Sequence, residues 1–171
     1  MFRKSKPHPY LQDNRLADVI AALQVMGSNE RAEDTIESWT RKFDNSVDRE
    51  TIERWKTVFM DHPEFFKVYV LGGEEKAALR WRYARRYYDH KKNKELTPEE
   101  AAALPEKERW LLTGKALDET QLQGLINTAI ELHTKNLTIH QEKRWMLNLF
   151  GPAGVSLVGV VVGALLTHFL K

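Results

Sequence analysis

The stretch HPEFFKVYVLGGEEKAALRWRY, residues 62–83, decides how this chain is read. Phe66, Val68 and Val70 alternate with Lys67 and Tyr69, and Leu79, Trp81 and Tyr83 alternate with Arg80 and Arg82. A period of two belongs to a strand with one buried face, and Gly72-Gly73 between the runs suits a tight turn. The spacing predicts a β-hairpin. A hairpin alone is marginal in water, so its Phe66/Val68/Val70 and Leu79/Trp81/Tyr83 faces are expected to rest on helices.

Those helices lie upstream. Leu16, Val19, Ile20 and Leu23 form an amphipathic stripe, with Asp13 as an expected cap and Gly27 as the stop. Ala32, Ile36, Trp39 and Phe43 form a second stripe. Ile52, Trp55, Val58 and Phe59 form a third, opened by Asp48 and closed by His62-Pro63. Downstream, Tyr87 to Lys94 is polar and basic and reads as a loop. Thr97-Pro98-Glu99-Glu100 carries a cap, an N1 proline and first-turn acids, and so opens a short helix. Asp118 with Gln121 resembles a capping box, after which no breaker interrupts a helical pattern.

That final helix holds a heptad. Leu122, Ala129, Asn136 and Lys143 fall at one seam position and Leu125, Leu132, Ile139 and Met146 at the other. One reading is a coiled coil whose register Asn136 fixes. The other packs Leu122 to Leu132 on the chain's own domain and leaves the rest as a solvated stalk. The helix then enters Leu149 to Leu170, 22 residues without Asp, Glu, Lys or Arg. Such a helix reaches roughly 30 Å, the thickness of a hydrocarbon core. Pro152 is placed in its first turn, where the missing N–H costs little. Gly159 and Gly163 form a G-x-x-x-G face that would let two such helices approach closely. Lys143 and Arg144 precede the span and only Lys171 follows it, so the larger N-terminal part is expected in the cytosol, with tail-anchor topology.

The expected organisation is therefore mainly α with a β-hairpin. It comprises a basic arm over 1–12, a head over 13–88, a loop and short helices over 89–117, a stalk over 118–148 and a transmembrane helix over 149–170. Met1 to Tyr10 lacks the apolar run of a signal peptide. Three helices followed by a hairpin, with the third helix ending at His62-Pro63-Glu64-Phe65-Phe66, resemble a winged-helix domain over Asp13 to Tyr88. The motifs HPEFF, LRWRYA and ELTPEE also resemble those of small uncharacterised tail-anchored prokaryotic or phage membrane proteins, a resemblance that brings no activity with it.

Winged-helix domains often place the third helix in the major groove of DNA. Here Arg49, Arg54 and Lys56 face four acids, Asp48, Glu50, Glu53 and Asp61, so the helix has the wrong sign for phosphates. The basic segment is the better candidate. Arg80, Arg82, Arg85, Arg86, Lys91, Lys92 and Lys94 interleave with Trp81, Tyr83, Tyr87 and Tyr88, suiting nucleic acid or anionic headgroups. Alternatively, Trp81 and Tyr83 are core residues and the arginines form a solvated face.

Nothing in the sequence supports catalysis. Cysteine is absent, which removes disulfides, thiolate metal sites and cysteine nucleophiles. His133 and His140 are spaced too far apart for the usual helical metal pair, and no phosphate-cradling glycine loop is present. The expectation is a non-enzymatic, membrane-tethered binding or scaffold module without metal or cofactor. Its expected partners are the lipid bilayer, a cytosolic protein and a second copy. Nucleic-acid binding through Arg80 to Lys94 is the alternative.

Overall fold

The computed structural model describes residues 8–84, 87–89, 91–109 and 112–169, with side chains through residue 145. They divide into two compact units, Met1–Glu131 and Leu132–Lys171. The first unit is mainly helical with two small antiparallel sheets.

Its order opens with α1 (Arg15–Ser28), β1 (Glu33–Thr35), α2 (Ile36–Phe43) and α3 (Arg49–Asp61), followed by the hairpin β2 (Phe66–Leu71) and β3 (Glu74–Leu79). Asp48 caps α3 as expected, its side chain accepting from Thr51 N–H at 2.8 Å. At α1, however, Asn14 rather than Asp13 holds the cap position, in a left-handed conformation that asparagine tolerates. The hairpin turns at Gly72 and Gly73, with φ of 65° and 84°, a geometry nearly closed to residues with a Cβ.

β1 was not visible in the sequence. It pairs antiparallel with β3, giving a sheet ordered β1-β3-β2. Thr35 ends β1 and caps α2 by accepting from Ser38 N–H at 3.1 Å. Ala32, expected within the α2 stripe, is buried just before this strand. Val19, Leu23, Trp39, Val58, Phe59, Phe66 and Leu79 are fully buried and form the core.

The hairpin differs from its predicted form at both ends. β3 stops at Leu79, and Arg80–Tyr83 forms a helical turn, α4, so Trp81 and Tyr83 are not strand residues. Only the base of the other face is covered: Phe66 is buried, whereas Val70 at the tip is 66% exposed. Nor is the predicted loop over Tyr87 to Lys94 featureless. It contains β4 (Tyr88–Asp89), paired with β5 (Lys94–Glu95). Pro9–Leu11, expected within the basic arm, forms a 3-10 turn with Tyr10 buried.

α5 (Pro98–Ala103) carries the expected Thr97 cap, and Glu100 closes it into a capping box. After α6 (Glu106–Arg109), α7 (Glu119–Phe169) starts where Asp118 accepts from Gln121 N–H at 2.8 Å. Residues of α7 up to Glu131 belong to the first unit and the remainder to the second. α7 continues through Pro152, which therefore stands in a helix interior rather than in a first turn. Among the described residues no helix is long and apolar enough to cross a membrane. The side chains of the predicted span, Leu149 to Leu170, lie outside the described residues.

Candidate functional site

The basic segment is the leading site candidate, and one of its arginines is not at the surface. Arg82 is fully buried. Its Nε donates to Lys115 O at 3.0 Å. Its Nη1 donates to Met26 O at 2.7 Å, Asn29 O at 2.6 Å and Arg31 O at 3.2 Å. Its Nη2 donates to Glu30 O at 3.2 Å and Gly114 O at 2.6 Å. The cage has a physical cause. The last carbonyls of a helix lack intrahelical partners and carry partial negative charge. At the end of α1, Asn29 N–H takes Val25 O at 3.0 Å, Arg82 takes Met26 O, and Leu117 N–H takes Gly27 O at 2.9 Å. Burial lowers the Arg82 pKa to about 10, so the guanidinium stays charged at neutral pH. Gly114 is required in this wall, since a Cβ there would lie 2.4 Å from the Arg82 carbonyl oxygen.

The other predicted cations are dispersed. Arg80 is exposed and donates through Nε to Pro63 O at 2.8 Å. Arg85 and Arg86 lie outside the described residues. Lys91 and Lys92 sit in a turn that Asp89 organises, accepting from their N–H groups at 2.9 and 3.2 Å. Those bonds, the one from Lys92 first, hold the Asp89 carboxyl below its ordinary pKa. Lys92 also lies 3.5 Å from Asp89, and Lys94 lies 2.9 Å from Glu100. On α3, Arg54 pairs with Asp18 and Asp44, and Lys56 pairs with Glu75 at 2.6 Å. Among the described residues, acids thus engage Arg54, Lys56, Lys92 and Lys94, and backbone carbonyls engage Arg80 and Arg82.

What the head does present is apolar. Phe65, Leu79, Trp81, Ala84 and Leu125, with Glu64 and Arg80 at the rim, line a groove of about 300 Å³. Trp81 is 47% exposed there. Leu125, predicted as a helix-to-helix contact, belongs to this groove. Leu122 packs close to Gly27, and Ala129 is fully buried. The first heptad residues, Leu122, Leu125 and Ala129, therefore serve the head. Beyond them, Asn136 donates to Leu132 O at 2.8 Å, and Ile139 is 39% exposed. Gly159 and Gly163 lie on α7, where surrounding side chains are outside the described residues.

Sequence reading also missed a buried polar cluster where the N-terminal turn meets the end of α3. His62 is fully buried, its Nδ1 lies 3.1 Å from Glu64 Oε1, and the Tyr10 ring meets it edge-on at 4.5 Å. Tyr10 donates its hydroxyl to the same carboxylate. His62 looked like no more than a helix stop, and no local pattern marks it as buried. Burial lowers its pKa below the ordinary 6.5, with Glu64 opposing the shift. The unfolded chain therefore takes up this proton first. The contribution is fully present above pH 6.5 and is lost as pH falls through the folded value. Denaturant titrations between about pH 8 and about pH 5 should show that His62→Gln flattens the acid side of the stability profile. An unchanged slope would remove His62 as its source.

No family model, curated protein or solved structure matches this chain. Among the described residues, no three metal-ligating side chains are grouped to hold an ion.

Proposed function

We propose that the chain is a membrane-tethered, non-enzymatic binding module with a winged-helix-like head on the cytosolic side. The observation that carries this reading is the placement of α7. Its first turns are seated in the head through Leu122 and the fully buried Ala129. The same helix then runs on through the heptad to Phe169. A helix that starts in the head and continues into this run suits a domain held at a bilayer by the uncharged Leu149 to Leu170 stretch. Lys143 and Arg144 before that run support the cytosolic assignment.

The winged-helix-like reading draws support from the order α1, β1, α2, α3, β2, β3 and the strand order β1-β3-β2. Binding through the Trp81 groove suits a protein partner better than nucleic acid, because the groove is apolar and Arg82 is committed to the core. Leu132, Asn136 and Ile139 provide a seam for association with a second copy, and the Gly159/Gly163 face extends it.

Ending the chain after Arg144 tests the division of labour. The fragment should be soluble without detergent and melt cooperatively by circular dichroism. A fragment that aggregates or shows no transition would contradict an independently folded head.

A further inference from the structure

β2 leaves one edge of the three-stranded sheet open. Which backbone groups face outward follows from the hydrogen bonds. Arg80 N–H donates to Phe65 O at 2.8 Å, extending the β2–β3 ladder by one bonded pair. In an antiparallel pair bonded positions alternate. Residues 65, 67, 69 and 71 therefore bond to β3, while 66, 68 and 70 point away. Two bonds agree with this parity: Phe66 N–H turns back to His62 O at 3.0 Å, and Ala77 O, opposite Val68, accepts from Trp39 Nε1 at 2.9 Å.

β2 is an edge strand. Among the described residues the outward N–H and C=O groups of Val68 and Val70 have no backbone partner. Folded proteins ordinarily guard such an edge with charge, proline or a bulge. Here Lys67 is the one charge on β2, Val68 to Leu71 carries none, and Val70 and Leu71 are 66% and 46% exposed.

We propose that this edge pairs antiparallel with β2 of a second copy, centred on Tyr69. In that register Val68 faces Val70 of the other copy and Val70 faces its Val68. Every outward group of these residues is then bonded. Tyr69 faces Tyr69 and Lys67 faces Leu71, so no like charges meet. A shift one way sets Val70 against Phe66, whose N–H is already engaged. A shift the other way sets Val68 against Gly72 in the turn. The self-complementary register is thus the one that uses the whole edge. A strand pair is well below the roughly 1,000 Å² of a stable interface. The pairing therefore rests on the proposed association through α7 and the bilayer, which raises the effective concentration of the second copy.

The absence of cysteine permits a clean test in the full-length chain in membranes. Tyr69 would face itself as a non-bonded pair with Cα atoms about 4.5 Å apart, within disulfide range. Leu71 would lie about 13 Å from its own copy, four residues along the strand. Under mild oxidation Tyr69→Cys should give at least about tenfold more disulfide-linked dimer than Leu71→Cys. Adding Val70→Pro, which removes an outward N–H but no β3 bond, should abolish the difference. If Tyr69→Cys fails to fold, Lys67→Cys/Leu71→Cys reports the same register. Asn136→Cys reads the seam separately. Linkage at 136 without linkage at 69 or at 67/71 would overturn the edge pairing while leaving the association intact, and would give the edge to a different chain. Linkage at neither would overturn both. Equal linkage at 69 and 71, or linkage that survives Val70→Pro, would also overturn the proposed register.

Discussion

Arg82→Met should unfold the head or leave it barely stable. The arginine holds six carbonyl oxygens, drawn from the end of α1, the segment leading to β1, and residues 114–115. Hydrogen bonds to a charged group contribute roughly 1.5–3 kcal/mol each and do not add fully, so a combined loss on the order of 4 kcal/mol or more is expected. Methionine fills much of the volume but leaves buried carbonyls without donors. Against a total of roughly 5–15 kcal/mol for a typical domain, that loss approaches collapse. Arg82→Lys should fall between the two, because an ammonium keeps the charge but cannot span the cage with a planar fork. Thermal melts of the Arg144-truncated fragment would show the ranking. A Met variant that melts with the parent would mean that water or backbone rearrangement replaces the cage.

Arg82 also shows where sequence reading stops. Leu79-Arg80-Trp81-Arg82-Tyr83 has a clean period of two, and local pattern alone makes it a strand. The need of the α1 carbonyls for a cation, set by residues more than fifty positions away, turns the segment into α4 instead. β1 was hidden for a related reason. Glu33-Asp34-Thr35 has no apolar alternation and is a strand only because β3 lies beside it. By contrast, features settled within a few residues were legible: the Asp48 cap of α3, the Thr97 cap of α5 and the Gly72-Gly73 turn. The candidate surface followed the same division. Basic residues could be counted in the sequence, but whether each met water, a carbonyl or a carboxylate depended on packing. The apolar groove combines Phe65, Trp81 and Leu125, which no local window holds together.

The second large effect concerns the run that follows the heptad. Burying Leu149 to Leu170 in hydrocarbon is strongly favourable, because nearly every side chain is apolar and the helix satisfies its own backbone. Deleting the run should therefore move the protein from membrane to supernatant almost completely, while the Arg82-dependent melt of the head is retained. Two charges placed at its centre, as in Val160→Arg/Val161→Arg, should do nearly the same, at about 2.5–3.5 kcal/mol each on insertion scales.

The most direct measurement is alkaline carbonate extraction of membranes carrying the full-length chain beside the chain lacking 149–170. The full-length chain should stay in the pellet and the deleted chain should be released. Release of both, or retention of both, would contradict anchoring by this segment.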